Sequence, residues 1–302
     1  MVDSYVVTYR HIPWEPASAE NVYPLGRNVK HDSRNRAYPY QRTMPKMALT
    51  SQMWPRHIPI LDQGAIGSCT GEEAVGALGT GSLWDALSPD QQGTITQALA
   101  YKIYSQAETI DGDGPYPPQD NGSSGPSAAQ AAKSDGYISG YTHGFGLADV
   151  LDALESGPVG IGSNWYDSMD RPDNGGFVTI TPGASIRGGH EYLCRGKDIT
   201  TQTLHFDNSW GTGYGLDGSF SYSYATLERL LSEQGDCTVA IPLTAPAPVP
   251  VPVPTPTPVN PPDAADKILA PVAAIWSHRR HITTADRNMA STLIAWLAKK
   301  GY

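Results

Sequence analysis

Three short segments of the 302-residue sequence carry residue types that could do nucleophilic chemistry. The first is LDQGAIGSCTGEEA, Leu61 to Ala74, in which Cys69 follows a turn-rich stretch with Gly64 and Gly67 and directly precedes a helical pattern. A thiol at a helix N-terminus feels the positive end of the dipole and several free backbone N–H groups. Both favour the thiolate and lower the pKa. Cysteine is more often a small buried core residue, but the flanking glycines and the helix start argue against a simple core position. The second segment, RGGHEYLCRG, places His190 at the start of an expected strand, 121 residues after Cys69. A lone histidine is more often structural than catalytic. The third, LHFDNSWGTGYG, puts Asn208 at the end of an apolar strand, followed by Trp210 and a glycine-rich turn. An asparagine carbonyl can accept a hydrogen bond from one imidazole nitrogen and so aim the other at a thiol.

The elements around these segments must hold them. Thr70 to Leu87 reads as a helix with Ala74, Val75, Leu78 and Leu83 inward; Thr94 to Ala107, Ser127 to Lys133 and Leu147 to Glu155 also show helical spacing. From about Pro158 the pattern changes to short strands: VGIGS, GFVTITP, EYLCRG, TLHFDNSW, GSFSYSY and CTVAIPL. Helices first and strands second predict an α+β domain with two segregated halves. Upstream, residues 1–54 are rich in Pro, Arg, Asn and Tyr with weak periodicity, as in an irregular arm or a wrapping extension.

Downstream, Thr244 to Pro262 has proline at nearly every second position. Proline fixes φ and removes a ladder donor, so this linker should be an extended, semi-rigid polyproline II spacer. In residues 263–302, Asp263 could cap a helix with Ile268, Leu269, Val272, Ile275 and Trp276, although Pro271 must kink it or mark its start. Thr284 could cap a second helix with Met289, Leu293, Trp296 and Leu297 on one stripe. Two short helices bury too little surface to be stable alone; self-association or packing on another partner is expected. The division is therefore 1–54 arm, 55–243 main domain, 244–262 linker and 263–302 small helical module.

Composition excludes several classes. The formal net charge is −9, against the basic face that nucleic-acid binding needs. No run of about 18 apolar residues is present, so no membrane-spanning helix is expected, and MVDSYVVTYRHIPWEP lacks the pattern of a secretory signal. The three cysteines are an odd number and too few for a disulfide scaffold, so at least one thiol is free. Cys194 and Cys237 fall on expected strands and are expected as reduced core thiols.

Taken together, Gln63-Gly64, Gly67-Ser68-Cys69 at a helix head, His190 at a strand start and Asn208-Ser209-Trp210-Gly211 resemble the papain-like (C1-type) family of cysteine peptidases. SSGPSAAQAAKSDGY resembles the family's mid-domain helix, ESGPVGIGSNWYDS the strand after its "GPV" turn, and GDCTVAIPL its closing strand, so the likeness spans roughly residues 55–243. It implies a two-lobed fold, with a helical lobe whose central helix starts at the nucleophile and an antiparallel β-barrel-like lobe. Carried over, Cys69 would be the nucleophile, His190 the general acid/base and Asn208 the group that orients the imidazole. Trp210 would shield that bond from water, and Gln63 would donate to the oxyanion with the Cys69 N–H. Gly189 and Trp210 would touch substrate. Two features depart from the pattern: Thr70 stands where eukaryotic relatives usually carry an aromatic, and Cys194 and Cys237 do not reproduce the usual disulfide spacings. A propeptide-poor domain with a proline spacer and helical tail looks like bacterial or bacteriophage proteins.

Other matches fail on context. GTGYGLDG fits G-x-G-x-x-G but leads into an alternating aromatic strand instead of a helix. DGDG at Asp111 lacks the remaining ligands of a calcium loop, and His57, His143 and His205 have no ligand-like spacing. The Asn121 sequon means little without a secretory signal. The cluster His278 to His281 reads as a helix end facing solvent. No cofactor or metal is expected. The leading function is endopeptidase action on a peptide or protein substrate through an acyl-thioester, without nucleic-acid or membrane partners. The alternatives are a peptidoglycan cross-link hydrolase using the same Cys–His pair, to which a tethered module would suit through raised local concentration, or a non-catalytic assembly protein on a peptidase scaffold. An amide-transferring enzyme would more often use an aspartate as the orienting group, which Asp207 keeps open.

Overall fold

The structure is a computed structural model that describes residues 23–29, 39–40 and 49–243. The linker, the C-terminal helices and most of the N-terminal arm lie outside the described residues.

Two apolar clusters organise the domain. One is built on helices α1 (Cys69–Leu78), α2 (Gly81–Asp85), α3 (Pro89–Gln92), α4 (Gln97–Asp111) and α5 (Gly125–Ser134). Val75, Leu78, Ile103, Ala107 and Ala128 meet in it, every one fully or almost fully buried. The small residues matter here: α1 and α4 approach so closely that a Cβ on Gly71 would lie 2.3 Å from the Ala100 carbonyl oxygen.

The second cluster lies on an antiparallel sheet built from β1 (Gln52–Met53), β2 (Gly140–Gly144), β3 (Val159–Tyr166), β4 (Ile186–Asp198), β5 (Thr203–Asp207), β6 (Ser219–Ser223) and β7 (Asp236–Ile241). Neighbours run β2-β7-β3-β4-β5-β6, with β1 on β4. Trp165, Tyr192, Phe206, Phe220 and Tyr222 fill the core of this half, together with α6 (Leu147–Ala153) and α7 (Tyr224–Ser232). Leu193 points to the helical cluster while its neighbours Tyr192 and Cys194 point to the sheet cluster, the alternation expected of a strand buried on both faces. The α+β class with two halves is thus as expected.

Local departures have physical causes. The single helix expected over Thr70 to Leu87 is two helices, because after Gly79 the backbone turns extended at Thr80 (φ −133°, ψ 132°), which ends the first and leads into the second. GFVTITP is extended but joins the sheet only through a bridge from Phe177 to Ser221. Strand β2, GYTHG, has no apolar alternation and is held by its register with β7. Helix α7 follows directly on β6, with Ser223 capping it by accepting from the Thr226 N–H. Among the described residues no helix is long and apolar enough to cross a membrane.

The contact at Gly71 generates a stability test. Gly71→Val should lower unfolding free energy by about 1–3 kcal/mol through overpacking against α4. The midpoint of urea unfolding measures it, with an unchanged slope showing that the compactness of the end states is preserved.

Candidate active site

Cys69 is the first residue of α1, and its thiol lies within reach of the backbone N–H groups of Glu191 and Gly26. The helix start is set by Ser68, whose carbonyl accepts from the N–H groups of Gly71 at 2.8 Å and Glu72 at 3.2 Å. The preceding loop is tied across the two halves. Gln63 donates its backbone N–H to the Ser209 carbonyl at 2.9 Å, and its side-chain Oε1 accepts from Ser209 Oγ at 2.6 Å. Its Nε2 donates to the Ile66 carbonyl at 2.7 Å. An amide nitrogen has two N–H bonds, so one donor remains.

His190 lies on β4 opposite Ser163 of β3. Its Nε2 is 2.8 Å from Asn208 Oδ1, just past the end of β5. Asn208 Oδ1 also accepts from the Ser209 N–H at 2.8 Å, which fixes which amide atom faces the imidazole. An oxygen acceptor there requires Nε2 to carry the proton. Nδ1 is buried with no hydrogen-bond partner among the described residues. The ring is caged by Trp210 stacked at 4.7 Å and by the edge of Trp165 at 4.9 Å. The sequence-derived residues Gln63, Cys69, Gly189, His190, Asn208 and Trp210 therefore form one cluster. Asp207 belongs elsewhere: its carboxylate binds Arg56 at 3.0 Å and Arg195 at 2.8 Å, and accepts from Ser219 Oγ. Successive side chains of a strand face opposite ways, which separates Asp207 from the imidazole.

Residues 23–29 lie across this cluster. Tyr23 stacks on Trp210 at 4.5 Å, and Trp210 Nε1 donates to the Pro24 carbonyl at 3.1 Å. The Gly189 carbonyl accepts from the N–H groups of Gly26 at 3.3 Å and Arg27 at 3.0 Å. Ser123 donates to the Gly26 carbonyl at 2.9 Å and accepts from the Asn28 N–H at 2.8 Å. Glycine is required on both sides of this contact: a Cβ on Gly26 would sit 1.8 Å from Gly67 O, and one on Gly189 2.4 Å from Arg27 O.

Covering the site changes its electrostatics. Burial pushes the Cys69 thiol well above its ordinary range, and the charges of Glu191 and Glu72 act in the same direction. Burial also drives His190 down to about 3, against the raising effect of its bond to Asn208. The lowered thiol pKa expected from the helix start is thus overridden by desolvation in this form. Burial thus favours the uncharged form of both groups.

Of the discounted motifs, GTGYGLDG adjoins the cluster, with Tyr214 packed edge-on against Trp210 at 4.9 Å, whereas the others have partners of their own. His57 stacks on Trp84, and His205 pairs with Ser221 Oγ at 2.9 Å. Asp111 accepts from Ser124 and Ser127 at the start of α5, a structural role for the DGDG segment. Cys194 and Cys237 are buried and unbridged. Among the described residues no group of three acidic, histidine or cysteine side chains could hold a metal ion. Sequence reading missed the buried charges beside the site, Arg27 with Glu191 and Asp236. Glu191 follows His190 directly, and a carboxylate inside an apolar strand was the available signal.

No protein-family model matches the sequence, and no curated protein matches it. Solved structures do resemble the fold. Xylellain, a cysteine protease from Xylella fastidiosa, is 19% identical with a TM-score of 0.58 over 73% of this chain and 96% of that one. Digestive procathepsin L 3 of Tenebrio molitor larval midgut is 17% identical with a TM-score of 0.47, over 72% and 75% of the two chains. The Amb a 11 cysteine protease, a ragweed pollen allergen in its proform, is 14% identical with a TM-score of 0.46, over 68% and 70%. The likeness to xylellain shows a papain-like fold.

The covered site makes a labelling prediction. In the full chain at pH 7.5, Cys69 should react with iodoacetamide as slowly as the buried Cys194 and Cys237. Gly26→Val, which cannot fit against Gly67, should accelerate labelling of Cys69 alone by about tenfold or more, the effect of relieving roughly 1.4 kcal/mol of local closure. Mass-mapped time courses of the three thiols measure it.

Proposed function

We propose that the protein is a cysteine-type endopeptidase. The observation that carries this reading is the imidazole of His190, held through Nε2 by Asn208 while Nδ1 stays unpartnered in the cluster that contains Cys69. In the uncovered site Nδ1 takes the thiol proton, and the Cys69 sulfur attacks the substrate carbonyl carbon. The oxygen that becomes negative is met by the free N–H of Gln63 and by the Cys69 backbone N–H, which has no intrahelical acceptor because it begins α1. His190, now cationic, gives its proton to the leaving amine as the C–N bond breaks. Water then attacks the thioester with His190 as base, and the acid product leaves. Trp210 and Trp165 keep water from the His190–Asn208 bond throughout.

The polarity of the cleft follows from this chemistry. The leaving amine takes its proton from His190, so the C-terminal half of a substrate lies on the His190–Trp210 side and the acyl half beside Ser123. Residues 23–29 run the other way: Tyr23 and Pro24 sit on Trp210, and Arg27 pairs with Ser123 in parallel. In that direction no peptide bond of the segment is presented for attack with its amine towards His190. The described form is therefore a covered, inactive one, and activity requires the segment to withdraw.

The test compares an unstructured protein with isolated peptidoglycan, each incubated with the Gly26→Val chain with and without a thiol-alkylating inhibitor. Inhibitor-sensitive cleavage of the protein supports the reading; release only from peptidoglycan replaces it with a wall-lytic activity, and no reaction on either leaves a non-catalytic scaffold. In the same background Gln63→Ala should reduce kcat about 100- to 1,000-fold while leaving Cys69 labelling at pH 6 nearly unchanged. Asn208→Ala should lower kcat with little change in KM and should also slow that labelling, because the imidazole that pairs with the thiolate is less well held.

A further inference from the structure

Ser123 grips the extended covering segment through its main chain, donating to the Gly26 carbonyl at 2.9 Å and accepting from the Asn28 N–H at 2.8 Å. The stretch around it makes only an isolated bridge, to Arg27, so side chains of α4 must place it. Tyr104 and Glu108 lie four residues apart on one face of that helix, and both are fully buried. The Tyr104 hydroxyl donates to Asp120 Oδ1 and accepts from the Gly122 N–H at 3.0 Å. Glu108 Oε1 accepts from the Asn121 N–H at 2.7 Å. One turn of α4 thus fixes three successive residues, 120 to 122.

Asp120 also reaches the other wall of the cleft. Its Oδ2 accepts from the N–H of Gly67, two residues before Cys69, at 2.9 Å. The approach leaves no room for a side chain, because a Cβ on Gly67 would lie 2.9 Å from Asp120 Oδ1. A second tie joins Thr70 Oγ1 to Ser123 Oγ at 2.5 Å, and both residues are fully buried. The nucleophile loop and the stretch that grips an extended chain therefore meet through Gly67 just before Cys69 and through Thr70 just after it.

We propose that Asp120 is a positioning residue, whose single carboxylate, bonded to Gly67 and to Tyr104, sets the span between Ser123 and Cys69. That span decides whether a chain held by Ser123 brings its carbonyl carbon onto the Cys69 sulfur, and a misplacement of about 1 Å costs about 100-fold in rate. The consequence for catalysis rests on the peptidase reading; the consequence for the grip on residues 26–28 stands on the hydrogen bonds alone. An asparagine at 120 can keep the geometry. Its Oδ1 would accept from Gly67 and its Nδ2 donate to the Tyr104 oxygen, while the phenol proton turns to Glu108 Oε1, 3.1 Å away.

The experiment has a labelling arm and a cleavage arm, both on the full chain. With the native segment in place, Asp120→Ala should speed iodoacetamide labelling of Cys69 about tenfold, the order expected from loss of a hydrogen bond to a charged acceptor. Cys194 and Cys237 should label as before, and Asp120→Asn should return Cys69 to within a fewfold of the parent. In the Gly26→Val background, Asp120→Ala should lower kcat/KM on a long peptide at least tenfold. It should change hydrolysis of p-nitrophenyl acetate, which has no main chain for Ser123 to hold, by no more than a fewfold. If Asp120→Ala does not fold, Tyr104→Phe removes the bond to Oδ1, keeps the carboxylate and takes both arms with the same direction expected. Unchanged Cys69 labelling would overturn the proposal, and so would an Asp120→Asn chain that behaves like Asp120→Ala. Equal losses on the peptide and the ester would overturn it too, because a general loosening of the fold does not distinguish them. Labelling that depends on Asp120 as expected, with neither substrate cleaved by the Gly26→Val chain, would support the tie and sink the peptidase reading.

Discussion

The hydrogen bond between His190 Nε2 and Asn208 Oδ1 is the interaction on which the arrangement of the site depends. One end sits on β4 and the other just past the end of β5, and the pairing of the two strands places Leu193 opposite Asp207, so the bond exists only if β4 and β5 keep that register. A slip by one residue would turn Asn208 to the other face and bring Asp207 inward. Asp207 opposes the slip because its own carboxylate is committed to Arg56 and Arg195. Aromatic packing around Trp165 and Trp210 then removes water from the bond, which strengthens it.

Two electrostatic influences compete at Cys69. The start of α1 favours a thiolate, and so do the N–H groups of Glu191 and Gly26; removal from water opposes it and is the larger effect while residues 23–29 are in place. Burial, to which Trp165 and Trp210 contribute, also lowers His190.

The covering segment is held by unlike interactions at its two ends. At Tyr23 the contact is aromatic stacking on Trp210, reinforced by Arg187, which donates to the Tyr23 carbonyl at 2.8 Å and pairs with Asp170. At Arg27 it is a buried ion pair, in which Asp236 and Glu191 hold the charge although burial works against it. The acids need a partner as much as the arginine does: burial pushes Glu191 well above the carboxylate range, with Asp236 adding to the rise and Arg27 opposing it. Breaking such a pair by removing one member is far costlier than never having buried it.

Local sequence was sufficient for the residues whose place in the backbone is tied to short patterns. Cys69 before a helix, His190 before an apolar strand and Asn208 between such a strand and a glycine turn could each be read, as could most helices, because periodicity and turn residues report the local backbone. Only tertiary structure could bring Arg27 to Gln234 across 207 residues of sequence, or lay Tyr23 on Trp210. No spacing rule links such positions, since the contacts are created by how the halves close. The same holds for strand β2, whose glycine and polar residues carry no pattern and which exists through its pairing with β7. It holds also for the thiol of Cys69, whose position at a helix start was legible, whereas its protonation is decided by burial, a property of the assembled fold.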